Sequence, residues 1–299
     1  MTGWPRSASS VRSGTGQTRV STRYRKTRRV WPTRNRLAPA AASIGLMNAP
    51  PSTPISTPVN APVRSEPVKV RADGATCEGL LVHPPAPATP LPCVLIAPTI
   101  RGRSAFEEER ARELASLGYA ALVMDVYGTG LSDEPLEQKR ARMNALLADR
   151  GALGRRLCAW VEAARTLPAV DPARIAAIGY CFGGLCVLDL ARLGTDIAGV
   201  ASFHAVLRPP PPGGSATIRT RVLVLHGWDD PLATPDALVA LAGELTARGA
   251  DWQIHAYGNT LHAFTNPAAS NRAAGTVYDA GANRRSWAAL RYFLAELFG

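Results

Sequence analysis

The chain has 299 residues, 46% of them hydrophobic, enough to bury one sizeable core or two smaller ones. No run of eighteen apolar residues occurs, so no membrane-spanning helix is expected. Cys77, Cys93, Cys158, Cys181 and Cys186 share no short repeated spacing. That excludes a disulfide framework or a zinc site as an expectation and favours a reduced, cytoplasmic chain.

The net charge of +11 is local. Residues 1–46 hold nine Arg, one Lys and no acid, leaving 24 basic against 23 acidic residues in the remainder. Any attraction to polyanions therefore belongs to this leader, and no nucleic-acid partner is expected for the folded part. The leader lacks the apolar periodicity needed to bury a face and is expected to be disordered in isolation. Three readings of it stand. It is a start-site artefact, with Met47 as the true start; or a targeting segment built on "TRRVW" and a weak apolar run; or a basic arm that touches nucleic acid. Residues 48–67 are rich in Pro, Ser and Thr and read as a linker, so a single folded domain is expected over 68–299.

Strand and helix signals then alternate. Short opening strands are predicted at 68–72 and 77–84, and the continuous apolar run 92–98 reads as a strand buried on both faces. Ser104 with Glu107 three residues later is a capping box that opens a helix, and Gly118 stops it. "YAALVMDVY" follows as another buried strand. Residues 136–167 predict one or two amphipathic helices broken near Gly151. The run 174–180 is a strand that feeds directly into a helix from Phe182. Strands at 197–206 and 221–227, a helix at 235–249, a strand at 251–258 and a final helix complete the chain. The last helix carries Trp287, Leu290, Phe293, Leu294 and Leu297 on one face. Strands separated by helices of this length predict a mostly parallel sheet with helices on both faces. Chemistry in such sheets gathers at the carboxyl ends of the strands.

Three strand ends carry reactive groups. "GYCFGG" places Cys181 between small residues where a strand turns into a helix, the arrangement of a nucleophile elbow. The turn is tight enough to demand glycine neighbours, and the helix start favours a thiolate and offers the Phe182 N–H to a developing oxyanion. The remaining cysteines read as buried core thiols. "HGWDDP" brings Asp229 and Asp230 to a second end, and Asp230 is the better candidate to orient an imidazole. "YGNTLHAFTNP" places His262 in a loop ahead of the last helix, where a general base can reach the elbow. His204 and His255 fall inside predicted strands and His83 ends an early one, so these read as structural, while His226 braces the acid turn. The order Cys181, Asp230, His262 is that of the α/β-hydrolase fold.

These stretches, with "ELASLGYAALVMDVYG", resemble the dienelactone hydrolase family over nearly all of 68–299. The resemblance implies Cys181 as nucleophile, His262 as base and acid, and Asp230 as orienting carboxylate. It also implies the Ile100 N–H as second oxyanion donor. Two departures stand out. Thr99 occupies the position of a family glutamate that helps ionise the cysteine, which leaves activation to His262 and the helix start, or to a substitute among Glu107 to Glu109. Asn266 occupies the position of an arginine that grips the substrate carboxylate, and Arg101 and Arg103 near the mouth are candidates to compensate.

The expected activity is hydrolysis of a small ester or lactone through a thioacyl-enzyme, with no metal or organic cofactor, in a monomer or homodimer away from membranes. Two alternatives remain: a general short-chain carboxylesterase or thioesterase without preference for acidic lactones, and a non-catalytic scaffold that binds a ligand or partner.

Overall fold

The computed structural model describes residues 62–130, 134–209 and 217–299. The basic leader and most of the expected linker lie outside the described residues.

The fold opens with β1 (Arg64–Ala72) and β2 (Ala75–His83), an antiparallel pair closed at Asp73 and Gly74. Both turn residues have positive φ, 52° and 73°, as a two-residue hairpin demands. β1 starts earlier than the Val68 expected from the sequence. There follow β3 (Leu91–Ala97), α1 (Ala105–Ser116), β4 (Ala120–Val123), α2 (Leu136–Ala148), α3 (Arg150–Arg165) and β5 (Val170–Tyr180). Next come α4 (Phe182–Arg192), β6 (Gly199–Phe203), β7 (Arg221–Gly227), α5 (Pro235–Ala247) and β8 (Trp252–Tyr257). A two-stranded ribbon of β9 (Ser270–Asn271) and β10 (Thr276–Val277) precedes α6 (Ala280–Phe298).

Eight strands form one sheet in the order β1-β2-β4-β3-β5-β6-β7-β8. Only the β1–β2 and β2–β4 pairs are antiparallel; every pair from β4 to β8 is parallel. Alternation along the strands sorts the core into two layers. On β3, Cys93, Leu95 and Ala97 face the layer that holds Leu153 and Trp160 of α3, Leu185 and Leu188 of α4 and Leu241 of α5. Val94 and Ile96 face Ala111 and Leu114 of α1 and Leu290, Phe293 and Leu294 of α6. A run of apolar residues with no polar alternation is what a strand covered on both sides requires, and each large side chain so buried stabilises the fold by about 1.5–3 kcal/mol. This is the α/β-hydrolase architecture.

Two strand ends differ from the sequence expectation, and the helix break falls two residues from Gly151. The strand read through Tyr127 stops at Val123, because Asp125 Oδ1 accepts the N–H groups of Tyr127 (2.9 Å) and Gly128 (3.0 Å) and turns the chain. The helix break lies at Asp149 rather than Gly151: Asp149 ends α2 and caps α3 by accepting the Ala152 N–H at 2.8 Å. The strand read through Val206 ends at Phe203, and His204 turns away with φ 35°.

Far from the strand ends, α3, α4 and α5 are tied by buried charges. Arg150 Nε donates to Asp189 Oδ2 at 2.7 Å, and Arg192 bridges Asp189 (3.2 Å) and Glu244 (2.7 Å). Asp189 and Arg192 are each paired on two sides, which offsets the cost of their burial.

Candidate active site

The elbow is built from backbone outward. Cys181 sits between β5 and α4 with φ 56° and ψ −113°, a strained conformation for a residue with a Cβ. Its N–H is held by the Phe203 carbonyl at 3.0 Å, and its own carbonyl accepts Val206 N–H at 3.1 Å. The flanking glycines are required by contact. A Cβ on Gly179 would lie 2.0 Å from the Gly183 carbonyl oxygen, and one on Gly183 would lie 2.1 Å from that of Ala97. The second contact also brings the end of β3 against the start of α4. The Pro98 carbonyl is also close, 2.7 Å from the same hypothetical Cβ, and Thr99 and Ile100 follow it in the chain. The Phe182 N–H is the first of α4 and has no acceptor within the helix.

The acid and the imidazole arrive on neighbouring loops. Gly227 ends β7 so close to the Thr260 carbonyl (2.5 Å from a hypothetical Cβ) that no larger residue fits. Asp230 is buried, and its Oδ1 accepts the Leu232 N–H at 2.8 Å. Asp230 Oδ2 accepts a hydrogen bond from His262 Nδ1 at 2.7 Å. Asp229 is exposed and takes no part. His226 donates from Nε2 to the Ala233 carbonyl at 2.8 Å and lies 3.8 Å from Asp230, bracing the turn. His262 is itself pinned by its backbone, which bonds Gly275 and Val277 at 2.9 and 3.0 Å.

The ring of His262 is buried, and its Nε2 has no hydrogen-bond partner among the described residues. Burial works against the charged ring, but the hydrogen bond it donates to Asp230 and the nearby Cys181 side chain overcome it and push His262 up to about 10. With Nδ1 committed to Asp230, Nε2 is the nitrogen left to face the sulfur. Cys181, Asp230 and His262 thus converge at one rim of the sheet.

The other thiols have a different setting. Burial pushes Cys77 up to about 11, Cys93 up to about 12 and Cys186 well above the usual range. Among the described residues, no group of three or more His, Cys, Asp or Glu is arranged to hold a metal ion. No described helix is long and apolar enough to cross a membrane.

The residues expected to grip substrate are spread out. Arg101, Arg103, Glu78, Asp125 and Gly128–Gly130 line a polar hollow. The Arg103 guanidinium is already spent on the Gly79 carbonyl (3.2 Å) and Glu108 (3.8 Å). Asn266 uses its side-chain oxygen to accept the Ala268 N–H at 3.0 Å, which closes its own turn. Glu108 and Glu109 pair with arginines at the surface. Glu107 is fully buried against Thr99.

One neighbour was misplaced by the sequence reading. His204 packs edge-on to His262, with ring centroids 5.0 Å apart, and its Nε2 shares a hydrogen bond with Thr265 Oγ1 at 2.8 Å. Burial and the adjacent His262 hold it well below the usual imidazole range, so it stays neutral. The apolar run that continues through Val206 gave no signal of this turn.

The profile of the Dienelactone hydrolase family matches residues 77–298. The chain belongs to this family. It is 38% identical to the solved structure named m3DLH, covering 80% of this chain and 100% of that one with a TM-score of 0.76. It is 35% identical, with a TM-score of 0.76, to a dienelactone hydrolase-like promiscuous phosphotriesterase, P91, from metagenomic libraries, covering 79% of this chain and 99% of that one. An uncharacterised protein of Caenorhabditis elegans is 37% identical over 157 residues, 51% of this chain and 99% of that protein. As a member of the dienelactone hydrolase family the chain is a hydrolase.

Proposed function

We propose that this hydrolase cleaves small esters or lactones with Cys181 as its nucleophile. The observation that carries the reading is the buried Asp230–His262 pair, 2.7 Å across, with Nε2 free on the side of a cysteine held at positive φ. A ring held so strongly in its charged form keeps the proton that the sulfur gives up. The thiolate attacks the carbonyl carbon, and the N–H groups of Phe182 and Ile100 receive the charge that moves to oxygen. Collapse of this intermediate breaks the ester bond, and His262 passes its proton to the leaving alkoxide. The now neutral imidazole takes a proton from water, whose oxygen attacks the thioester. Collapse of this second intermediate breaks the carbon–sulfur bond, which releases the acid and restores the Cys181 thiolate beside the protonated ring.

Hydrolysis of p-nitrophenyl acetate by the purified chain tests the reading. Cys181→Ala should lower turnover by several orders of magnitude, on the order of 10³-fold or more. Turnover within a few-fold of the unmodified chain would refute the role of Cys181.

A second reading concerns the substrate. Thr99 replaces the family glutamate, and Asn266 closes its own turn instead of presenting a cation. These two features favour a general short-chain carboxylesterase over an enzyme tuned to acidic lactones. A panel of a dienelactone, neutral aryl esters and an aryl phosphotriester separates the cases. A kcat/KM for the dienelactone well above that for neutral esters would defeat the second reading.

A further inference from the structure

We propose that Glu107 is the positioning residue of the oxyanion loop, holding the Ile100 N–H where the charged oxygen develops. The inference rests on the reading of Cys181 as nucleophile and Ile100 as donor.

Glu107 occupies the third position of α1, where a glutamate completes the capping box with Ser104. A capping box needs only one carboxylate oxygen and works at a solvent-exposed surface. Here the whole side chain is fully buried, and among the described residues no Lys or Arg forms an ion pair with it. A buried carboxylate without a cation costs several kcal/mol unless hydrogen bonds sustain it. Three do. Oε2 accepts the Ser104 N–H (3.0 Å) and the Ser104 hydroxyl (2.5 Å), while Oε1 reaches across to the Thr99 N–H at 3.0 Å.

The contact to Thr99 contributes nothing to the helix cap. It fixes the amide immediately before Ile100. The Thr99 carbonyl then accepts Gly102 N–H at 3.0 Å, and its hydroxyl accepts Arg101 N–H at 3.3 Å, so the turn from Thr99 to Gly102 hangs from this one anchored residue. On the other side, the Ala97 and Pro98 carbonyls press on Gly183 at the start of α4. The loop is thus held by the elbow at Ala97 and Pro98 and by Glu107 at Thr99, and Ile100 is the next residue along the chain. The chain carries threonine in the loop itself and delivers the carboxylate from behind, out of α1. Displacing a donor by a fraction of an ångström is enough to lose much of its effect on a developing oxyanion.

The test uses the purified full chain and p-nitrophenyl acetate. Glu107→Gln puts an NH₂ group where one carboxylate oxygen accepts N–H donors. It should lower kcat by about ten- to a hundredfold, with KM within about threefold. Alkylation of Cys181 by iodoacetamide, which needs no oxyanion donor, should stay within about twofold of the unmodified rate. Ser104→Ala removes only the serine hydroxyl and leaves the Thr99 contact. It should keep kcat within about threefold even where its Tm falls. A Glu107→Gln kcat within about twofold of the unmodified chain would overturn the proposal, as would a Ser104→Ala loss as large as that of Glu107→Gln. If Glu107→Gln does not fold, Glu107→Asp serves instead, because its shorter carboxylate cannot span Thr99 and Ser104. The same kcat loss supports the proposal, and unmodified kcat overturns it. Loss of turnover on alkylation combined with an unaffected Glu107→Gln overturns this inference alone. Full turnover after complete alkylation of Cys181 overturns both this and the nucleophile reading.

Discussion

Asp230 Oδ2 and His262 Nδ1 are 2.7 Å apart, both buried, and thirty-two residues separate them in the chain. The carboxylate dictates which ring nitrogen carries hydrogen toward it and so which one faces Cys181. Asp230→Asn keeps the size of the side chain but lets an amide donate to Nδ1, which selects the wrong tautomer. Its kcat should fall by about 10²–10⁴-fold, while Asp229→Asn at the exposed neighbour stays within about twofold. Steady-state kinetics on the two variants decides, and equal losses would contradict the assignment of Asp230.

The same pair makes stability depend on alkaline pH. His262 is pushed up to about 10 in the folded state, against an unfolded value of ~6.5. The native state therefore binds this proton more tightly than the unfolded chain does. Its contribution is fully present below pH ~6.5 and is lost as pH rises through 10, by up to ~1.4 kcal/mol per unit. Urea unfolding at pH 6, 8 and 10 should show this decline in the unmodified chain and a flatter one in Asp230→Asn. Parallel curves would mean that the pair does not hold the proton.

The elbow makes a prediction that separates backbone crowding from glycine content in general. Gly183→Ala drives a Cβ to 2.1 Å from the Ala97 carbonyl oxygen, and neither backbone can move without opening the elbow. It should cost at least ~2 kcal/mol of stability or prevent folding. Gly243 lies on the exposed side of α5 with nothing within 4 Å of its would-be Cβ. Gly243→Ala should stabilise by ~0.5–1 kcal/mol. Thermal unfolding of both variants checks the contrast, and a Gly183→Ala Tm equal to the unmodified value would contradict it.

The sheet was legible because strands covered on both faces are uninterrupted apolar runs, and the run 221–227 coincides with β7. The elbow was legible for a similar reason, since glycines spaced around a cysteine between a strand and a helix have few other uses. What escaped the sequence was set by contacts between distant segments. The strand toward Tyr127 is cut short by the Asp125 carboxylate, an acid that looks like any other loop aspartate. His204 reads as a strand residue until the backbone turns at Phe203 and lays its ring on His262. Glu107 is visible as a capping glutamate, but periodicity and spacing carry no trace of its second oxygen reaching Thr99. Asn266 stands where the resemblance expects an arginine, and nothing in the spacing shows that its side chain closes a local turn.

In the proposed mechanism one sulfur carries the acyl group. Rapid acid quench of the full chain during turnover of p-nitrophenyl acetate, followed by intact-mass and peptide mass spectrometry, tests it most directly. A thioacyl-enzyme gives a single acetyl addition on the peptide that contains Cys181, removed by neutral hydroxylamine and missing from Cys181→Ala. Acetyl label on another residue during turnover, or undiminished turnover in Cys181→Ala, would contradict it.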